Sequence, residues 1–460
     1  MVQIVKNLRI VGVLSPLITS INFSILGHTC HGLGMAKKIR QNMGTLTDKD
    51  RPFRPNPSLF QLVVSVLTDD HWKKIRNVMT PSFTLGKIKQ TLPLVQNGVD
   101  TLIDVVKERI ENKLLFDVKN CFGSFTLDVI CSVAFGVKVD SQRNPNEPVV
   151  KYAKQAFSFK LSSPGILFNV LFPYTSTCLA EWFNIHTVMP EGENFFRTTL
   201  GRLLDERRKR PKNPPDFLQL LLNAEIERTV ENPRGQSQDT APNETQSSRE
   251  PIRDVEMIAQ MLIFLLAGYD TTATTLSFIL YNIAVNNEIQ QRCYEEIQEK
   301  CSQTNKMTYD DLLEFTYLEA CILESLRMYP AVGRIDRISS KPYKLTDDIT
   351  IPSETAVVVP VYVIHHSEEF YENPKTFDPE RFLPEQRSLR DPLTFLPFGY
   401  GPRNCIGMRF AVVEMKMCLA NLIKTFEFSP CEKTVIPLEL DSTGLMKTKQ
   451  PIYLDVKLRK

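Results

Sequence analysis

The chain has little net charge to offer a polyanion. Its 55 lysines and arginines nearly cancel its 53 aspartates and glutamates over 460 residues, so there is no global basic field and no expectation of a nucleic-acid partner. No C-x-x-C pair occurs among the ten cysteines, which argues against a zinc knuckle or a dense disulfide framework and for a reducing, cytosol-facing environment. Glycine is scarce beside proline, 19 against 30. The prolines run through both halves of the chain, where they interrupt helices and shape long ordered connections. No solenoid-type repeat is present.

Charge is also missing between Arg9 and Lys37, and Val11 to Gly27 approaches the length of a membrane span. Pro16, Ser20, Asn22 and Ser24 dilute that stretch. Residues 1–44 therefore read as an atypical N-terminal segment for which two readings stand: a membrane anchor, or a buried segment behind a displaced gene start. Asn22 and Asn243 head glycosylation sequons to which no function is assigned.

Helical periodicity runs from about Thr101 to Lys160, for example at Leu102, Val105, Val106 and Ile110. Leu161 to Ala180 is uncharged but broken by Pro164 and Pro173; it reads either as a surface-dipping loop at a substrate channel or as a buried connection. Residues 225–253 are polar and aperiodic, the composition of a mobile surface loop. Asp254 to about Asn287 then forms a long apolar segment whose only charge between Glu256 and Glu288 is Asp270. Its hydroxyl residues between Thr271 and Ser277, with Gln260 and Asn282, suit a helix buried through a large protein better than one in lipid. Between Asp336 and His366 the pattern shifts to β-branched runs bounded by turn residues, which predicts a small sheet inside a helical protein.

The segment that carries chemistry is Phe398-Gly-Tyr-Gly-Pro-Arg-Asn-Cys-Ile-Gly407, followed by a helical stretch through Leu422. Gly401 and Gly407 permit a tight loop that brings amides to a sulfur, Arg403 offers a donor to an anion, and a helix N-terminus beyond stabilises a thiolate. Any single cysteine is most often a buried free thiol; here the spacing of its neighbours overrides that prior.

The spacing resembles the cytochrome P-450 family, whose cysteine loop reads F-x-x-G-x-R-x-C-x-G, met at Phe398, Gly401, Arg403, Cys405 and Gly407. Glu324 and Arg327 match its E-x-x-R pair and Pro379-Glu-Arg381-Phe its third member, so that Glu324, Arg327 and Arg381 are implied to form a buried structural network. Ala267-Gly-Tyr-Asp-Thr-Thr272 is similar to the oxygen-activation motif. There the Thr271 hydroxyl reaches back to the Ala267 carbonyl, Gly268 leaves room for dioxygen and water, and Asp270 and Thr271 relay protons as the catalytic pair. Trp72, Arg76, Arg337 and Arg403 correspond to haem-propionate contacts. Lys73, Lys74, Lys87, Lys89 and Lys416 are candidates for a basic docking face.

The resemblance covers residues 45–460 and points to the microsomal 3A-type branch and its thromboxane-synthase relatives. It implies a mainly α fold with small β-sheets: a helical haem-binding domain plus a smaller β-rich N-terminal lobe, the latter incomplete. At Asp50-Arg51 this chain has one basic residue where that branch carries two. The implied cofactor is haem b with Cys405 as axial thiolate and metal ligand. The implied activity is insertion of one oxygen atom into a lipophilic xenobiotic, steroid or fatty acid. Electrons would come from NADPH through cytochrome P-450 reductase, with cytochrome b5 as a further partner, at the cytosolic face of the endoplasmic reticulum membrane. A haem-thiolate isomerase is the alternative; retention of Asp270 and Thr271 favours the monooxygenase, since peroxide rearrangement needs no acid catalysis. A non-catalytic haem carrier is a third reading.

Overall fold

The computed structural model describes residues 58–156, 190–209, 216–223, 252–301, 307–345, 349–353, 355–441 and 445–459. The N-terminal segment 1–44, Asp50-Arg51, the apolar stretch 161–180, both sequons and residues 225–251 of the polar loop lie outside that set. The chain divides into two compact units. Of the described residues, Leu59 to Ala156, those between Asn194 and Gly333, and those from Val361 onward belong to the larger; Ser58, Pro190–Glu193 and those between Arg334 and Pro360 belong to the smaller.

Helices dominate the described residues, as expected. The main ones are α1 (Asp69–Met79), α2 (Leu85–Glu111), α3 (Val118–Phe135), α4 (Pro148–Ala156), α5 (Pro190–Lys209), α6 (Asp254–Ala284), α7 (Asn287–Lys300), α8 (Thr316–Met328) and α9 (Met408–Thr425). The apolar segment opening at Asp254 is α6, and most of its side chains are buried in protein. Asp254 and Glu256 sit in its first turn, where the helix dipole favours carboxylates. The Glu256 side chain also accepts from the Arg253 amide at 2.8 Å, closing a capping box. Each fully buried Leu, Ile or Phe, such as Leu276, Phe278 and Ile279, contributes about 1.5–3 kcal/mol.

The core is built where α3 crosses α6. Asp117 caps α3 by accepting from the Asn120 amide at 3.1 Å, and Gly136 in the left-handed conformation (φ 61°) ends it. A Cβ on Gly268 of α6 would stand 2.9 Å from Ile130 of α3, so the missing side chain is what lets the helices approach. Thr126 Oγ1 locks the crossing by donating to the Tyr269 carbonyl at 2.9 Å.

The strands are short. In the larger unit, β1 (Phe116–Asp117) and β6 (Phe426–Pro430) flank β9 (Tyr453–Leu458), all antiparallel, with Phe116 opposite Leu454 and Phe428 opposite Val456. A two-stranded pair, β7 (Leu440–Asp441) and β8 (Lys447–Thr448), accompanies them. In the smaller unit the predicted small sheet is present as β2 (Ile335–Ile338) paired with β5 (Ala356–Val359), Arg337 facing Val357 in register. Beside it β3 (Tyr343–Lys344) pairs with β4 (Thr350–Ile351).

Candidate haem site

The Cys405 loop is a backbone device that closes on itself. The Cys405 amide donates to the Phe398 carbonyl at 2.8 Å, and the Asn404 amide to that of Gly401 at 3.0 Å. Two left-handed residues make this turn possible, Gly399 (φ 72°) and Gly401 (φ 79°). Gly407 is different: its φ of −86° is ordinary and a Cβ there would meet Phe83 only at 3.7 Å. The tightness expected of Gly401 and Gly407 therefore belongs to Gly399 and Gly401.

Helix α9 starts at Met408 without a side-chain cap, so its first amides are available to the sulfur. The protein packed behind Cys405 pushes its thiol up from the ordinary value, while the Gly407 and Met408 amides and the Arg76 guanidinium favour the thiolate.

Helix α1 grips the loop from the other side. Arg76 Nη2 donates to the Asn404 carbonyl at 3.0 Å and to Asn404 Oδ1 at 3.1 Å. Arg403 donates to the Leu67 carbonyl at 2.8 Å and lies over the Trp72 ring, 4.2 Å from its centroid. Trp72, Arg76, Phe398, Arg403, Cys405 and Gly407 are thus gathered on one constellation. Arg337 belongs to the smaller unit, where Nη1 donates to the Asp336 carbonyl at 2.8 Å.

On α6, Thr271 Oγ1 donates to the Ala267 carbonyl at 2.6 Å. This is the i to i−4 bond that loosens a helix locally. Asp270 faces elsewhere. Its carboxylate lies 2.6 Å from Lys119 Nζ, which also donates to the Asp270 carbonyl at 3.1 Å and to Thr274 Oγ1. Burial lowers the Lys119 pKa and the Asp270 charge opposes that shift. Among the described residues no hydrogen bond joins Asp270 to Thr271. On the side of Gly268 where a Cβ would stand, Ile130 is packed against the helix.

Glu324, Arg327 and Arg381 form one buried cluster. Glu324 and Arg327, both fully buried, make a bidentate pair with two contacts of 2.7 Å. Arg381 Nε is 3.5 Å from Glu324, and Arg327 donates to the His365 and Pro374 carbonyls at 2.7 and 2.8 Å. Such a pair holds because its remaining donors and acceptors are met.

Among the five lysines read as a basic face, Lys416 is a correction. It is buried, donates to the Leu312 carbonyl at 2.7 Å and pairs with Glu319 at 2.6 Å. Lys73 and Lys89 are each paired with an aspartate, Asp70 and Asp310.

The loop, with the Gly407 and Met408 amides and the Arg76 charge favouring an anionic sulfur, has the chemistry of a thiolate ligand. The guanidinium of Arg76 has more donors than its bonds to Asn404 use, which suits the carboxylates at a haem edge. The residues therefore fit haem. The cytochrome P450 family model matches residues 48–456. Among the relatives, cytochrome P450 3A2 of Rattus norvegicus is 38% identical over 394 residues, covering 85% of this chain and 75% of the relative. Cytochrome P450 3A12 of Canis lupus familiaris is 35% identical over 397 residues, 86% and 75%. Cytochrome P450 3A27 of Oncorhynchus mykiss is 35% identical over 411 residues, 89% and 76%. These matches do not favour the isomerase alternative. The chain belongs to the cytochrome P450 family and is a haem-thiolate monooxygenase, its haem iron held by a cysteine.

Proposed function

We propose that Cys405 is that cysteine and that the substrate is a lipophilic xenobiotic, steroid or fatty acid. The observation that carries the ligand assignment is the loop itself: left-handed Gly399 and Gly401 and the Cys405 amide bond to the Phe398 carbonyl at 2.8 Å set the cysteine just ahead of the uncapped start of α9. Amides at that helix start and the nearby Arg76 charge favour a thiolate there.

When bound, haem supplies the activation of dioxygen and the transfer of one oxygen atom to the substrate. The chain does the rest. Arg76, Arg403 and Trp72 would hold the haem propionates, and Arg337 is the remaining candidate for such a contact. Ala267 and Thr271 present a loosened turn of α6, in which the Thr271 hydroxyl donates to the Ala267 carbonyl so that its oxygen is left to accept a hydrogen bond from a proton-carrying water or ligand. Asp270 holds a proton-exchanging carboxylate at the same turn, kept in place by Lys119. Electrons come from NADPH through cytochrome P-450 reductase, assisted by cytochrome b5, at the cytosolic face of the endoplasmic reticulum membrane.

The test is turnover under isotopically labelled dioxygen, with purified reductase, NADPH and a panel of steroids, fatty acids and drug-like molecules in phospholipid vesicles. One labelled atom in a product, dependent on reductase, is the expected result. Product formation from a peroxide without reductase, and none with it, would overturn the reading.

A further inference from the structure

His365 lies outside every motif, yet it joins two of them. It is fully buried, immediately before His366 and Ser367, at the end of the short helix Val361–His365. Its Nε2 faces the Leu396 amide at 2.9 Å and its Nδ1 faces the Arg327 carbonyl at 3.0 Å. An amide nitrogen only donates and a carbonyl only accepts, so both contacts demand one tautomer: a bare Nε2 and a protonated Nδ1. Burial, the main cause, lowers the His365 pKa to about 3, so the ring is neutral near pH 7 and this tautomer is open to it.

The connection continues to the sulfur. Leu396 accepts from the Gly399 amide at 3.1 Å, and Phe398, two residues after Leu396, accepts from the Cys405 amide at 2.8 Å. In the other direction Arg327 donates to the His365 carbonyl, so side chain and backbone of these two residues hold each other reciprocally. The Phe395 ring stacks on the imidazole with centroids 5.5 Å apart, fixing its plane.

We infer that His365 is a positioning residue for the haem thiolate, registering the Cys405 loop against the buried Glu324–Arg327 pair through its two ring nitrogens. This rests on Cys405 being the ligand. Removing the ring leaves the Leu396 amide and the Arg327 carbonyl without partners in a dry interior, and the loop then gains freedom to let the sulfur move or take up a proton.

The experiment compares holoenzymes of wild type, His365→Leu, His365→Gln and Gln290→Leu. Gln290 is the control: it is equally buried and spends its amide on the Phe428 amide and carbonyl, at 2.8 Å each. The readout is the ratio of red-shifted to unshifted Soret band in the reduced, carbon-monoxide-bound form, with helix content measured alongside. Positioning predicts a fall of about tenfold for His365→Leu at unchanged helix content. It also predicts recovery with His365→Gln, which keeps a donor and an acceptor, and no change for Gln290→Leu.

Equal ratios in all four proteins, or equal losses in His365→Leu and Gln290→Leu, overturn the inference. If His365→Leu does not accumulate, His365→Met, which likewise has no N–H donor, takes its place, and a conversion to the unshifted form on warming no faster than that of wild type and His365→Gln overturns it. A wild type without the red-shifted band overturns the ligand assignment itself, and the positioning role with it.

Discussion

Lys119 of α3 and Asp270 of α6 are bound at 2.6 Å, across the same helix crossing at which Gly268 meets Ile130. The turn of α6 that presents Thr271 is therefore fixed from behind by an ion pair and by close backbone packing.

Lys119→Met leaves the Asp270 carboxylate without its cation. Because a third of the Lys119 side chain reaches solvent, the loss is expected at about 1–2 kcal/mol, below that of a fully buried pair. Asp270→Asn added to Lys119→Met recovers part of it, since two uncharged groups then face each other. Denaturant unfolding of the four proteins in this cycle measures the coupling; strict additivity would show that the pair contributes nothing.

Gly268→Ala places a Cβ within 2.9 Å of a β-branched side chain. The atoms nearest that Cβ are Ile130 Cδ1 and Cγ1, with the Ile130 Cβ at 3.3 Å, so turning the terminal methyl alone does not clear the space; a loss of about 1–3 kcal/mol is expected, partly relieved by Ile130→Val, which removes Cδ1. Thermal unfolding of both single variants and the double variant checks this.

The Glu256 carboxyl is the site of a pH effect. Burial alone would raise its pKa, but hydrogen bonds from the side chains of His71 and Arg253 and from the Arg253 amide outweigh burial and bring it from 4.5 to about 2. A carboxyl depressed by folding stabilises the fold above its unfolded value and ceases to as pH falls through the folded one. The Glu256 contribution is on the order of 3 kcal/mol; it is complete above roughly pH 5 and disappears between there and pH 2. Unfolding free energies of wild type and Glu256→Gln are expected to differ near pH 6 and to converge toward pH 2. A pH-independent difference would contradict the assignment.

Much of this was legible in the sequence because it is local. The Cys405 loop is one tight turn, the Glu324–Arg327 pair spans one helical turn, and the Thr271 bond to Ala267 is an i to i−4 contact. What was not legible depends on residues brought together by the fold. Lys119 and Asp270 are 151 positions apart and Arg76 and Asn404 are 328 apart; no periodicity records such partners. Lys416 misled because a lysine in an amphipathic run is ordinarily solvated, whereas here a carbonyl and Glu319 receive it inside the core. The packing of Ile130 against Gly268 was likewise not legible, because the two residues lie on different helices and meet only through the fold.

The central claim is that Cys405 is the thiolate ligand. Its most direct test is the absorption spectrum of the dithionite-reduced, carbon-monoxide-bound protein beside Cys405→Ser. A strongly red-shifted Soret band in the wild type, absent from the variant, is the predicted result. A red-shifted band that survives in Cys405→Ser, or a wild type that binds haem with only the unshifted band, would contradict it.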